Sequence, residues 1–269
     1  MSVPNPGFRV LPFPAERQLV VEAGSLTKER SLVHGFVEFD VTTARQLIRE
    51  HKAATGEALS FTAFLIGCLA KALAEHPMLQ AYRDWRNRLI LFDDVDVVTL
   101  IETEVNGVAL PHVVRAAQRK PLAEISSEIH AVKSVPARSE QSSGIVSKVA
   151  RHVPSFVRKL FYRTVVMNPH WLKKQMGTVT ITSLGMFLPG GGWGIGFMPF
   201  HTMGLVVGGI GEKWVMRDGQ MVAREMLCVT LSVNHDVVDG APAARFVACF
   251  KELVESGYGI PTGQRPVSP

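Results

Sequence analysis

Residues 229–255 read VTLSVNHDVVDGAPAARFVACFKELVE, and two periodicities meet inside this stretch. Up to Asn234 the chain alternates. Val229, Leu231, Val233 and His235 fall on one face of a strand, and Thr230, Ser232 and Asn234 on the other. From Ala241 to Ser256 the apolar residues return at helical spacing, which predicts an amphipathic helix. The switch is made at Asp239-Gly240. A strand that ends on a histidine, turns through a glycine and enters a helix holds an imidazole rigidly at the edge of a cleft, and Asp239 can fix that turn by an ion pair. A lone histidine at a strand end is also an ordinary half-buried polar residue, so its surroundings decide.

Working outward, the preceding strand covers Glu225–Asn234, behind a hairpin turn at Asp218-Gly219 and an earlier strand Met203–Ile210. Upstream come a strand Thr178–Thr182 and a glycine-rich loop over 184–196. Near the start, Leu32–Val41 (LVHGFVEFDV) reads as a strand and Thr42–Thr55 as a helix capped by Thr42 or Thr43. Ser60–His76 is a strongly apolar helix with Ser60 as its cap and Pro77 as its stop. Strands are expected at Arg88–Phe92, Asp96–Val105 and, after an Asn106-Gly107 turn, Val108–Arg115. A helix follows at Pro121–Val132, and 144–175 reads as two short helices broken at Pro154 and Pro169. Helices mixed with hairpin-linked strands, without repeat or linker, predict an α/β fold with a mixed, largely antiparallel sheet.

The chain has 269 residues, 46% of them hydrophobic, enough for a sizeable core. The net charge of +5 is local: between Gln141 and Met176 there are seven Lys/Arg and no Asp or Glu. That pattern argues against a nucleic-acid-binding chain and for one basic element. The three cysteines, Cys68, Cys228 and Cys249, lie apart in apolar runs, as buried thiols of a reducing compartment do. No metal-ligand spacing occurs, since HDVVD lacks a third ligand. The proline-rich start (1–16) reads as an extended arm rather than a signal peptide, and no apolar run is long enough to span a bilayer. The expected location is cytoplasmic. The run Pro189-Gly-Gly-Gly-Trp-Gly-Ile-Gly196 contains no GxGxxG and is not followed by a helix, so it reads as a tightly turned or flexible loop and not as a dinucleotide site.

Residues 229–255 resemble the C-terminal signature of the 2-oxo-acid dehydrogenase acyltransferase family. Gly177–Phe187 (GTVTITSLGMF), Gly204–Ile210 (GLVVGGI), Ser60–Gln80 and Gly107–Arg115 (GVALPHVVR) are similar to further segments of that family. The resemblance runs from about residue 17 to 257 and covers the catalytic domain alone, whose fold is shared with chloramphenicol acetyltransferase. It implies a chloramphenicol acetyltransferase-like two-layer sandwich and acyl transfer from a thioester of coenzyme A or a carrier to a thiol, hydroxyl or amine. His235 matches the general base, Asp239 the acid that holds the site by an ion pair, and Thr182 the hydroxyl that binds the oxyanion. Ser183 takes that role if the register slips by one. Asn234 and His201 are candidate substrate contacts, and Arg17 is a candidate partner for Asp239. His34 and His112 are further channel candidates. The family's active site lies between subunits of a homotrimer, so His235 is expected to work with Thr182 of a neighbouring chain. Coenzyme A is then a co-substrate, with no permanently bound cofactor.

Three departures bear on specificity. No lipoyl domain or flexible linker precedes the catalytic part, so no lipoyl group is expected on this chain, and a lipoylated partner acting in trans is an open expectation. Asp236 follows the base where the family usually has Arg, and Pro199-Phe200-His201 replaces Pro-Pro-Gln. Both changes lie near the expected acceptor channel. Finally, 144–175 has no family counterpart of its length. Its apolar positions Val149, Val153, Phe156, Val157, Leu160 and Phe161 alternate with Lys148, Arg151, Arg158, Lys159 and Arg163. That stripe reads as a solvated surface helix, a lid, a dock for an acidic carrier protein or a membrane-surface helix. Alternatives to an acyltransferase are a condensation-type transferase on the same fold and a trimeric scaffold without turnover.

Overall fold

A computed structural model of the chain describes residues 21, 24–25, 30–102, 109–134, 157, 160, 163–164 and 167–261. Their elements, in chain order, are β1 (Leu32–Asp40), α1 (Thr42–Thr55), α2 (Phe61–Glu75), β2 (Tyr82–Arg83), β3 (Leu89–Ile90), β4 (Val97–Glu102), β5 (Ala109–Val114), α3 (Leu122–Ser134), α4 (Pro169–Met176), β6 (Val179–Ser183), β7 (Met203–Arg217), β8 (Gln220–Asn234) and α5 (Gly240–Ser256). The main sheet has six strands in the order β1-β8-β7-β6-β4-β5. Its β1–β8, β8–β7 and β4–β5 pairs are antiparallel, and its β7–β6 and β6–β4 pairs are parallel. This is the expected mixed sheet.

The alternation read in β8 decides which face is covered. Val229, Leu231 and Val233 join Leu205 and Val207 of β7 and Val179 and Ile181 of β6 in one apolar row. Residues from α1, α2, α3 and α5 close over that row and complete a single core. Helix α2 is apolar nearly all round, as a helix at the centre of a layer must be, and nine of its residues are buried. Ser60 caps it by accepting from the Ala63 amide. Phe250 of α5 meets Phe39 of β1 edge-on at 5.4 Å, an aromatic pairing that adds about 0.5–1.5 kcal/mol to the area buried.

Three local expectations are corrected. The cap of α1 is neither Thr42 nor Thr43: the N-cap is Val41, without a side-chain bond, and the Asp40 carboxylate accepts from the Thr42 amide instead. The Thr42 hydroxyl is occupied in accepting from the Glu225 amide. Pro169 marks the expected break: Arg163 and Thr164 are helical, Met167 and Asn168 are not, and Pro169 opens α4, since its missing N–H falls where a first turn has none to satisfy. Strands β7 and β8 run on well past the main sheet as a two-stranded ribbon closed by Asp218 and Gly219, both at positive φ. Only Leu89–Ile90 of the expected Arg88–Phe92 strand pairs, and it does so with Tyr82–Arg83 in a separate ribbon. The arm at 1–16, the Asn106-Gly107 turn and most of 144–166 lie outside the described residues.

The glycine-rich loop is held by backbone packed on backbone. Gly190, Gly191 and Gly192 all take positive φ, and β7 answers with a bulge between Val207 and Ile210. The Gly209 amide donates to the Gly192 carbonyl at 2.9 Å. A Cβ on Gly208 would sit 2.1 Å from the Gly192 oxygen, and one on Gly209 2.1 Å from the Leu188 oxygen. No side chain fits between these chains, so the loop is pinned to the face of the sheet opposite the helices. Replacing Gly208 with Ala must push them apart, at a cost of about 1–3 kcal/mol or more. A thermal melt of Gly208→Ala is expected to show a lower midpoint than the unaltered protein, whereas Gly219→Ala, whose Cβ meets nothing within 4 Å, pays only for its positive φ.

Candidate active site

Strand β8 ends at Asn234, one residue short of the expected histidine. His235 is the first residue of the turn, and its amide donates to the Ser31 carbonyl at 2.8 Å, continuing the β1–β8 ladder by one bond. Asn234 holds the turn from the other side. It is 5% exposed; its carbonyl accepts from the Val237 and Val238 amides, and its side-chain oxygen accepts from the Asp236 amide at 3.3 Å. The backbone under the imidazole is therefore fixed on both flanks. The ring itself is open, with 48% of the side chain exposed.

Asp239 sits four residues on, at the N-cap of α5, where the helix dipole favours a carboxylate. Its Oδ1 lies 3.9 Å from His235 Nδ1, an electrostatic contact longer than a hydrogen bond, and 83% of its side chain is exposed. Arg17, its expected partner, lies outside the described residues.

Thr182 and Ser183 occupy opposite faces of β6. Ser183 follows Val179 and Ile181 toward the helices and lines a cavity of about 320 Å³ with Arg45, Phe61 and Leu188. Thr182 faces the glycine-rich loop, where a Cβ on Gly196 would come within 3.9 Å of its methyl. The register places Thr182 opposite Val206, and Val206 opposite Thr230. His235 is five residues beyond Thr230 on β8. At about 3.4 Å per residue and about 4.8 Å per strand, Thr182 and His235 of one chain are roughly 20 Å apart. A single chain does not bring them together.

His201 is drawn inward. It is 2% exposed, and its Nε2 donates to the Met176 carbonyl at 2.8 Å, which leaves the buried Nδ1 without a partner among the described residues. Burial lowers the pKa of its imidazole to about 4; the bond to Met176 opposes this and the nearby Arg30 charge adds to it. His34 bonds Ser232 at 2.8 Å and His112 bonds Glu128 at 2.7 Å.

Sequence reading missed Arg30. Its guanidinium donates to the carbonyls of Phe200 and His201, each at 2.8 Å, and so ties the segment before β1 to the departing Pro199-Phe200-His201 turn. Nothing in the local pattern marks it, because its partners lie 170 residues away and are backbone atoms. Arg30, Asn234 and Asp236 border a cavity of about 310 Å³ at this end of the sheet.

The family profile "2-oxoacid dehydrogenases acyltransferase (catalytic domain)" matches residues 9–142 and 168–259 and leaves 143–167 unmatched. The chain belongs to this acyltransferase family. Over 74% of its length it is 29% identical to the dihydrolipoyllysine-residue acetyltransferase component of the pyruvate dehydrogenase complex of Rickettsia bellii. Over 81% it is 26% identical to the component of that name from Bacillus subtilis. It spans 40% and 43% of those relatives, about two fifths of their length. Among solved structures, a probable dihydrolipoamide acetyltransferase from Listeria monocytogenes superposes with a TM-score of 0.71 at 21% identity, covering 97% of this chain and 98% of the other. The Azotobacter vinelandii dihydrolipoamide acetyltransferase, studied for the catalytic roles of a serine, a histidine and an asparagine four positions after that histidine, gives 0.69 at 20% identity with 95% and 97% coverage. Chloramphenicol acetyltransferase gives 0.51 at 16% identity with 91% and 97% coverage. At these identities the superpositions speak for the fold: a chloramphenicol acetyltransferase-like α/β sandwich.

The buried imidazole makes stability depend on pH. Unfolded, His201 takes up a proton near 6.5; folded, it holds out to about 4. Stability is therefore full above pH 6.5 and falls as the pH drops toward 4, by up to about 3 kcal/mol. Urea melts across this window are expected to show a shallower loss for His201→Gln than for the unaltered protein.

Proposed function

We propose that this chain transfers an acyl group from a thioester of coenzyme A, or of a carrier protein, to a thiol, hydroxyl or amine, in a site completed by a second copy of itself. The observation that carries the reading is the placement of His235: its backbone is fixed on both sides while its imidazole is half exposed at the surface, roughly 20 Å from the Thr182 of the same chain by strand geometry. An exposed base and a distant hydroxyl make one working site when each meets the other's counterpart on a neighbouring copy. The open side of the sheet supports such contact. Phe36, Trp193, Ile195 and Phe197 are between 43% and 64% exposed, an apolar patch of the kind that marks an association surface. A closed homotrimer uses each such interface once and leaves no free end.

In this reading His235 accepts the proton of the acceptor as that group attacks the thioester carbonyl. Thr182 of the neighbouring copy donates a hydrogen bond to the oxyanion. The imidazolium then returns the proton to the departing thiolate, so that no charge is left on the histidine after turnover. Asp239 keeps the turn, and with it the imidazole, in place. The spacing of His235 and Asp239 equals that of the histidine and asparagine studied in the Azotobacter vinelandii enzyme, and a hydroxyl at 182 parallels its serine. A lipoylated partner in trans and an acidic carrier are the two acceptors to test. A scaffold without turnover has no use for a histidine held this firmly and left this open.

Acetyl transfer from acetyl coenzyme A to a dithiol, followed by release of the coenzyme, tests the reading. His235→Ala is expected to lower the rate about 10²–10⁴-fold, and Thr182→Ala about 10²–10³-fold with little change in the apparent affinity for the thioester. Equal rates in His235→Ala and the unaltered protein would overturn it.

A further inference from the structure

The cavity of about 310 Å³ beside the histidine turn is built in part from what this chain does not share with its family. Arg163 and Met167 come from the segment that the family profile leaves unmatched. Asp236 is one of the departures read in the sequence, and Pro199 adjoins the other, Phe200-His201. The wall is rigid on the α4 side, because the Arg115 guanidinium donates to the last carbonyls of that helix, Lys173 at 2.9 Å and Lys174 at 2.6 Å, and pairs with Asp96 at 3.1 Å. Satisfying a helix end in this way anchors the strip that carries Met167 and Leu172.

The charges in this cavity do not cancel. Five charged side chains line it: Arg30, Arg83, Arg163, Asp84 and Asp236. Asp84 is already neutralised, accepting from the Arg88 guanidinium through Nε and from the amides of Arg86 and Arg88, each at 2.8 Å. Asp236 lies within electrostatic reach of Arg30, whose guanidinium is in turn bound by the two carbonyls of the neighbouring turn. Arg83 and Arg163 are exposed and form no ion pair with any described residue. Two unmatched guanidinium groups therefore face a pocket whose remaining walls mix apolar side chains, among them Met167, Leu172, Pro199 and Val237, with the polar Asn87, Thr202 and Asn234. A ligand that fits this arrangement has a short alkyl body and an anionic end.

We infer that this cavity seats a carboxylate-ended acceptor, held by Arg83 and Arg163 with its alkyl chain running toward the His235 turn. The inference rests on the acyl-transfer reading for its purpose, but binding can be measured without turnover. It assigns the acceptor rather than the thioester because Asp236, the departure that lines the cavity, directly follows His235, the group that would take the acceptor's proton.

Oxidised lipoate and lipoamide form a matched pair of probes: the same ring and chain, one ending in a carboxylate and the other in a neutral amide. Titration calorimetry of each onto the full chain at low salt is expected to show lipoate binding about ten-fold more tightly, as charge-assisted hydrogen bonds dictate. The preference should weaken with added salt, vanish in the double variant Arg83→Ala with Arg163→Ala, and persist when both are changed to Lys. Equal binding of the two probes, binding of neither, or a preference that survives the double alanine change would overturn the inference. Loss of acetyl transfer with the lipoate preference intact would count against the catalytic reading alone.

Discussion

Strand β8 is hydrogen-bonded on both sides along its inner half, to β1 over Met226–Asn234 and to β7 over Met226–Val233. A strand held between two antiparallel neighbours cannot slip, because a shift of one residue would turn Val229, Leu231 and Val233 out of the core and bring Thr230 and Ser232 in. The place where β8 stops is therefore set by the core. His235 follows that stop directly and is carried by the Ser31 bond on one side and the Asn234 turn on the other. The imidazole is exposed, yet its position is inherited from a strand paired on both sides.

The same logic governs the second half of the proposed site. Thr182 is placed by the parallel pairing of β6 with β7, and its surroundings by the glycine contacts that press the loop at 190–196 onto the open face. One ladder thus sets both chemical groups and also keeps them apart within a chain. The proposed trade between copies builds on this: each subunit would offer a base at one end of its sheet and a hydroxyl further along it, neither complete alone.

Much of this was legible in the residues. The period-2 row in β8, the helical period in α5, the Ser60 cap and the Asp218-Gly219 turn are local patterns, and the structure reproduces them. The bounds of α1 match residue for residue, although its cap does not, since capping was decided by Asp40 and by a distant demand for the Thr42 hydroxyl. What stayed hidden is non-local. The Tyr82–Arg83 strand is too short to show alternation, Arg30 is held by carbonyl oxygens that carry no side-chain signature, and His201 looks like a loop residue until the Met176 carbonyl and burial claim it. The alternation within VTITS already puts Thr182 and Ser183 on opposite faces, but that Thr182 meets the glycine-rich loop and lies two strands away from β8 required the pairing of β6 with β7.

The most direct test of the account mixes two inactive proteins. His235→Ala and Thr182→Ala are unfolded together, refolded as a mixture, and assayed for acetyl transfer against each variant refolded alone. If the histidine and the hydroxyl of one site come from different copies, random mixing restores about a quarter of the sites, since half of the subunits supply each intact group. A mixture no more active than its components would contradict a site shared between copies.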